Sequence, residues 1–138
     1  MKHYVLDANA ALRYLMGAEN DGSERIRSLV HDGERGSTRL SMSVINLGEV
    51  FYILMKSVDE ARALHAIREL RQVISIADAD MERTTQAAIL KYRYKLSYAV
   101  SFAAALAMEY DATVVSADPS FEKLGKKLRW MKLPRFRG

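Results

Sequence analysis

Residues 2–15, KHYVLDANAALRYL, pass from an apolar β pattern to a helical one with no loop between them, and Asp7 sits at the junction. A short apolar run that feeds directly into a helix suits a strand buried on both faces and a parallel crossover. The step recurs along the chain. TRLSMS (residues 38–43) reads as a strand, and Ser43 as the cap of a helix reaching Lys56 with Val44, Leu47, Phe51, Leu54 and Met55 on one stripe. ATVVSAD then leads into DPSFEKLG, a short helix with Pro119 at its first position and Gly125 at its end.

Between these steps the periodicity predicts helices over residues 23–30, over VDEARALHAIRELRQ, over DADMERTTQAAILKYRY, and over the alanine-rich KLSYAVSFAAALAMEY, capped by Ser97. VISIA and LRWMKL read as strands, and HDGERGS as a polar turn. Strands alternating with helices predict an α/β fold of three layers, a central parallel β-sheet flanked by helices. A chain of 138 residues, 49% hydrophobic and 28% charged, without repeats or an internal linker, fits a single domain over 1–138.

Composition narrows the chemistry. With no cysteine there are no disulfides and no thiolate metal sites, so any metal needs oxygen or imidazole ligands. Met-Lys-His-Tyr leads straight into the first strand with no signal-peptide pattern, and the longest small apolar run, residues 99–108, is too short to span a bilayer; the expectation is a soluble, cytoplasmic protein. The formal charge of +4 is uneven: residues 1–122 carry 14 basic and 17 acidic residues, whereas residues 123–138 carry seven basic and no acidic ones. Lys123, Lys126, Lys127, Arg129, Lys132, Arg135 and Arg137 suit either phosphate contacts or a solvated tail.

Asp7 and Asp118 each follow a predicted parallel strand, so both open onto one edge of the sheet, where α/β folds bind ligands. Glu49 lies on the helix from Ser43, one turn beyond Asn46, and makes a polar notch beside Ile45 and Ile53. Converging carboxylates require protons, bases or a hard cation, and Mg²⁺ or Mn²⁺ takes carboxylate oxygens and water as ligands. Each residue also has a local reading: Asp7 and Asp118 as helix caps, Glu49 as an exposed helical glutamate. His3, His31 and His65 show no ligand or triad spacing, and no phosphate loop or nucleophile elbow is present. A haloacid-dehalogenase-like phosphatase requires a second aspartate two residues after the first, where this chain has Asn9.

The stretches YVLDANAALRYL, SMSVINLGEVFYIL and YKLSYAVSFAAALAMEYDATVVSADPSFEKL together resemble the PIN-domain family, and within it the VapC-type toxins of type II toxin–antitoxin systems. The resemblance implies an Mg²⁺- or Mn²⁺-dependent endoribonuclease acting on RNA such as tRNA or rRNA, a homodimer, and inhibition by a cognate VapB-like antitoxin. It matches Asp7, Glu49 and Asp118 to family carboxylates that are catalytic and metal-binding, and Asn9 and Ser116 to supporting polar positions. The remaining family aspartate belongs in LSYADxFAAALA, where this chain reads LSYAVSFAAALA. Val100 therefore stands where a carboxylate is expected. The resemblance then implies either an impaired nuclease or a catalytically inactive PIN module that binds antitoxin or RNA.

Overall fold

A computed structural model describes residues 1–17 and 21–135. Five parallel strands, β1 (Lys2–Leu6), β2 (Thr38–Ser43), β3 (Ser75–Ala77), β4 (Thr113–Ser116) and β5 (Arg129–Lys132), form one sheet in the order β3-β2-β1-β4-β5. Helix pairs fill the first three crossovers: α1 (Ala8–Met16) and α2 (Ser23–Glu34), α3 (Val44–Ser57) and α4 (Glu60–Val73), α5 (Met81–Tyr94) and α6 (Tyr98–Glu109). A 3₁₀ segment, Pro119–Lys127, makes the fourth. Among the described residues no helix is long and apolar enough to cross a membrane.

The two-residue period of β1 divides the core. Tyr4 and Leu6 face a cluster built with α1 to α4, while Val5 faces one built with α5, α6 and Phe121 of the 3₁₀ segment. Val5, Leu6, Val114 and Val115 are fully buried at the sheet centre, and each contributes about 1.5–3 kcal/mol by leaving water. The pairing of Val5 with Val114 and of Leu6 with Val115 aligns the carboxyl ends of β1 and β4. Strand order reverses between these two neighbours, so their loops diverge and leave a crevice.

Two segments differ from expectation. Helix α2 runs on to Glu34 through part of the anticipated polar turn; Gly33 is accommodated, and the chain reverses instead at Gly36, whose φ of +81° suits glycine. The segment after Asp118 is 3₁₀ rather than α-helical and continues to Lys127, with a break at Gly125 (φ +54°, ψ −128°). Both departures lie where short-range hydrogen bonds compete closely.

Helix α6 matches its predicted cap and length. Ser97 Oγ accepts from Val100 N at 3.2 Å, and Ala103, Ala104 and Ala107 are buried against the sheet and α5. Small side chains set that close approach. Ala103→Leu is expected to lower stability by about 1–3 kcal/mol through overpacking, measured by urea denaturation; unchanged stability would show that the helix has room to move outward.

Candidate active site

The carboxyl ends of β1 and β4 open into a cavity of about 470 Å³. Asp7, Asn9, Glu49, Val100 and Asp118 all line it, as do Arg13, Asn46, Ser97 and Arg135. Ser116 lies just behind the wall. The three carboxylates thus line one cavity, and Val100 lines the same space.

Asp7 is 6% exposed and caps α1: its Oδ1 accepts from Ala10 N at 2.9 Å, and its Oδ2 accepts from Ser116 Oγ. Ser116, fully buried at the end of β4, also accepts from Asp118 N at 2.9 Å through the same hydroxyl. One side chain thereby ties the two strand-end aspartates together. Asp118 caps the 3₁₀ segment, its Oδ1 accepting from Ser120 N at 2.9 Å. Capping and site-lining are therefore properties of the same residues, and neither excludes the other.

Burial pushes the Asp7 carboxyl up from its ordinary 3.8 to about 6; the hydrogen bonds from Ser116 and Ala10 oppose the shift, and the charges of Asp118 and Glu49 reinforce it. Glu49 is exposed at the rim, and partial desolvation raises its pKa as well. Asn9 is exposed on the first turn of α1. Val100 is 6% exposed and contributes only hydrocarbon.

Asn46 is a polar group that sequence reasoning noted beside Glu49 but gave no role. It is 1% exposed; its Nδ2 donates to Ala99 O at 3.1 Å, while its Oδ1 has no partner among the described residues. The Ala99 carbonyl fixes which end of the amide is the acceptor. Its spacing one turn before Glu49 was the available signal.

Other acidic and basic groups lie elsewhere. None of the three histidines lines the cavity; His3 shares a 2.7 Å hydrogen bond with Ser41 and stacks on Tyr110, and His65 pairs with Glu69. Asp80 caps α5 and Asp78 pairs with Arg83, and neither lines the cavity. Of the basic tail, Lys127 donates to Tyr94, Lys123 to the Lys95 carbonyl and Arg129 to Asp111, and among the described residues only Arg135 lines the cavity. Arg137 lies outside the described residues.

Among the described residues no three His, Cys, Asp or Glu side chains form a ready-made metal cluster. The cavity nevertheless offers an all-oxygen donor set, with Asp7 and Asp118 linked through Ser116 and Glu49 at the rim. That arrangement fits a cation of the Mg²⁺ type, which uses one or two carboxylates and keeps several waters, better than one demanding a closed protein cage.

The raised pKa of Asp7 has a stability consequence in metal-free protein. The native state holds this proton to higher pH than the unfolded chain, so the contribution is complete below pH 3.8 and is lost as pH rises through about 6. Asp7→Asn, which cannot ionise, is expected to flatten stability between pH 4 and 7. Urea unfolding in EDTA across that range checks this; a variant that keeps the parent's pH slope would contradict it.

A PIN-domain family profile matches residues 4–127. No curated protein sequence matches the chain. Among solved structures, VapBC2 from Rickettsia felis, bound to a DNA fragment from its promoter, aligns with a TM-score of 0.74 at 16% identity over 96% of this chain and 99% of that one. DNA-bound VapBC from Salmonella typhimurium gives 0.75 at 18% over 96% and 98%. Mycobacterium tuberculosis VapC20, a Sarcin-Ricin loop cleaving toxin, gives 0.68 at 17% over 88% and 95%. At such identities the structural likeness speaks for the fold, and the profile match decides the family: this chain belongs to the PIN-domain family.

Proposed function

We propose that this chain is a VapC-like toxin whose cavity is a divalent-cation-dependent endoribonuclease site, impaired by Val100. The observation that carries the reading is the joining of Asp7 and Asp118 through Ser116 at the point where the strand order reverses. The two VapBC structures and VapC20, a Sarcin-Ricin loop cleaving toxin, share the fold and support it.

In this reading Asp7 is the central ligand for Mg²⁺ or Mn²⁺, and Asp118 and Glu49 serve as supporting ligands or orient the attacking water. The bound cation supplies polarisation of the scissile phosphate and a lowered pKa for water. Ser116 keeps Asp7 in a fixed rotamer, so the ligand is positioned before substrate arrives. Partial desolvation raises the Glu49 pKa, the direction that suits an Oε accepting a proton from water. Asn9 adds a polar group beside the strand end. Val100 contributes neither charge nor oxygen, which weakens cation affinity and slows cleavage.

A VapB-like antitoxin belongs to the same proposal. Its chemistry would be a basic side chain entering the cavity, where buried Asp7 lies with Asp118 and Glu49 and, among the described residues, none of the three is in an ion pair. Exposed Val44, Ile45 and Tyr52 on α3 supply apolar surface for a homodimer. A cytoplasmic setting, with tRNA or rRNA as substrate, completes the reading. Val100 also favours a second one, a catalytically inactive PIN module that retains affinity for antitoxin or RNA.

Cleavage of a mixed tRNA and rRNA pool with Mn²⁺ separates the two. Val100→Asp is expected to cut at least about tenfold faster than the parent chain, the scale of a missing metal ligand or its support, and Asp7→Asn is expected to be silent. Cleavage by Val100→Asp that is unchanged when Asp7→Asn is added would remove Asp7 from the mechanism. Silence from Val100→Asp on RNA that the parent binds would favour the inactive module.

A further inference from the structure

The chain does not leave the fold at the end of β5. Leu133 is fully buried, and its N–H donates to Ser116 O at 2.9 Å. Pro134 lies against Gly22, which has φ +89° and where a Cβ would come within 3.1 Å of Pro134 and 3.0 Å of Leu133. The Arg13 guanidinium, on a residue only 6% exposed, donates to the carbonyls of both Pro134 and Asp21. A backbone hydrogen bond, a close packing contact and a guanidinium clamp thus hold two consecutive residues. The next residue, Arg135, is placed on the wall of the cavity that holds Asp7, Glu49 and Asp118.

Arg135 is exposed, and among the described residues no ion pair joins it to any of those carboxylates. It therefore does not plug the acidic cavity. A nucleic-acid strand approaching that cavity meets like charge, and a cation on the wall, held apart from the carboxylates, offsets the repulsion. The guanidinium fork matches two oxygens of one phosphate.

We propose that Arg135 is a substrate-contacting residue that grips an RNA phosphate next to the scissile one, and that Arg13 is a positioning residue that holds Arg135 there through Pro134. This rests on reading the cavity as a ribonuclease site. The tail is then not a diffuse basic lure: one of its cations has an assigned place.

The test is fluorescence anisotropy with a short mixed-sequence single-stranded RNA across a salt series, with Ca²⁺ as the oxygen-seeking cation. Arg135→Gln is expected to weaken binding about fivefold and to lower the slope of log affinity against log salt by about 0.7, the share of one phosphate contact on a single strand. Arg129→Gln, whose side chain pairs with Asp111 away from the cavity, should change neither quantity. Arg13→Lys should reproduce most of the loss, with Arg135→Gln costing little more in that background; a merely structural role for Arg13 would lower the melting temperature without this coupling. RNA binding by the parent that is indifferent to Arg135→Gln overturns the inference and leaves the ribonuclease reading intact. No RNA binding by the parent counts against both.

Discussion

The hydrogen bond from Ser116 to Asp7 crosses from β4 to β1 at the point where strand order reverses, and the rest of the site is arranged around it. A carboxylate that is 6% exposed is costly unless donors surround it, and here a hydroxyl and a backbone N–H do so. The same hydroxyl accepts from Asp118 N, and the Ser116 carbonyl accepts from Leu133 N and from Trp130 Nε1. One small residue thereby couples the first strand, the fourth strand and the C-terminal segment. Its side chain serves the acidic cavity while its backbone secures the segment that carries Arg135.

Donors do not fully repay the burial of Asp7, which is why its carboxyl titrates near 6. Retaining a desolvated acid beside two further carboxylates is the pattern expected of a site whose missing charge comes from a bound partner. On one wall Val100 contributes only hydrocarbon. The surrounding geometry is kept nonetheless: Val100 N caps onto Ser97, and Ala99 O still orients Asn46. Under the proposed function, the Val100→Asp side chain would enter a cavity that already has room and polar neighbours, so the substitution tests chemistry rather than folding.

Much of this was legible in the chain because the signals are local. The switch of period at Asp7, the cap at Ser97 and the Asp-Pro pair at residues 118 and 119 each describe a few consecutive residues, and the strand ends marked by Asp7 and Asp118 share one edge of a parallel sheet. Val100 was conspicuous only against the family pattern, since a valine in an alanine-rich helix is ordinary by itself. What escaped was set by contacts distant in sequence. Arg13 looks like a surface arginine at the end of a helix, and its clamp on Pro134 spans 121 residues. Asn46 acquires meaning only when Ala99, 53 residues away, fixes its amide. The 3₁₀ form of the segment after Asp118 turned on a small energetic difference that residue preferences do not resolve.

The proposed function requires a divalent cation between the carboxyl ends of β1 and β4. Titrating Mn²⁺ into the isotope-labelled chain and following paramagnetic loss of amide signals by NMR addresses it without requiring turnover. The account predicts that amides of Ala8, Asn9, Ala10, Ala117 and Asp118 fade first, and that Asp7→Asn abolishes the selective loss. Early broadening centred on Asp78 and Glu109, or uniform broadening that Asp7→Asn leaves unchanged, would contradict it.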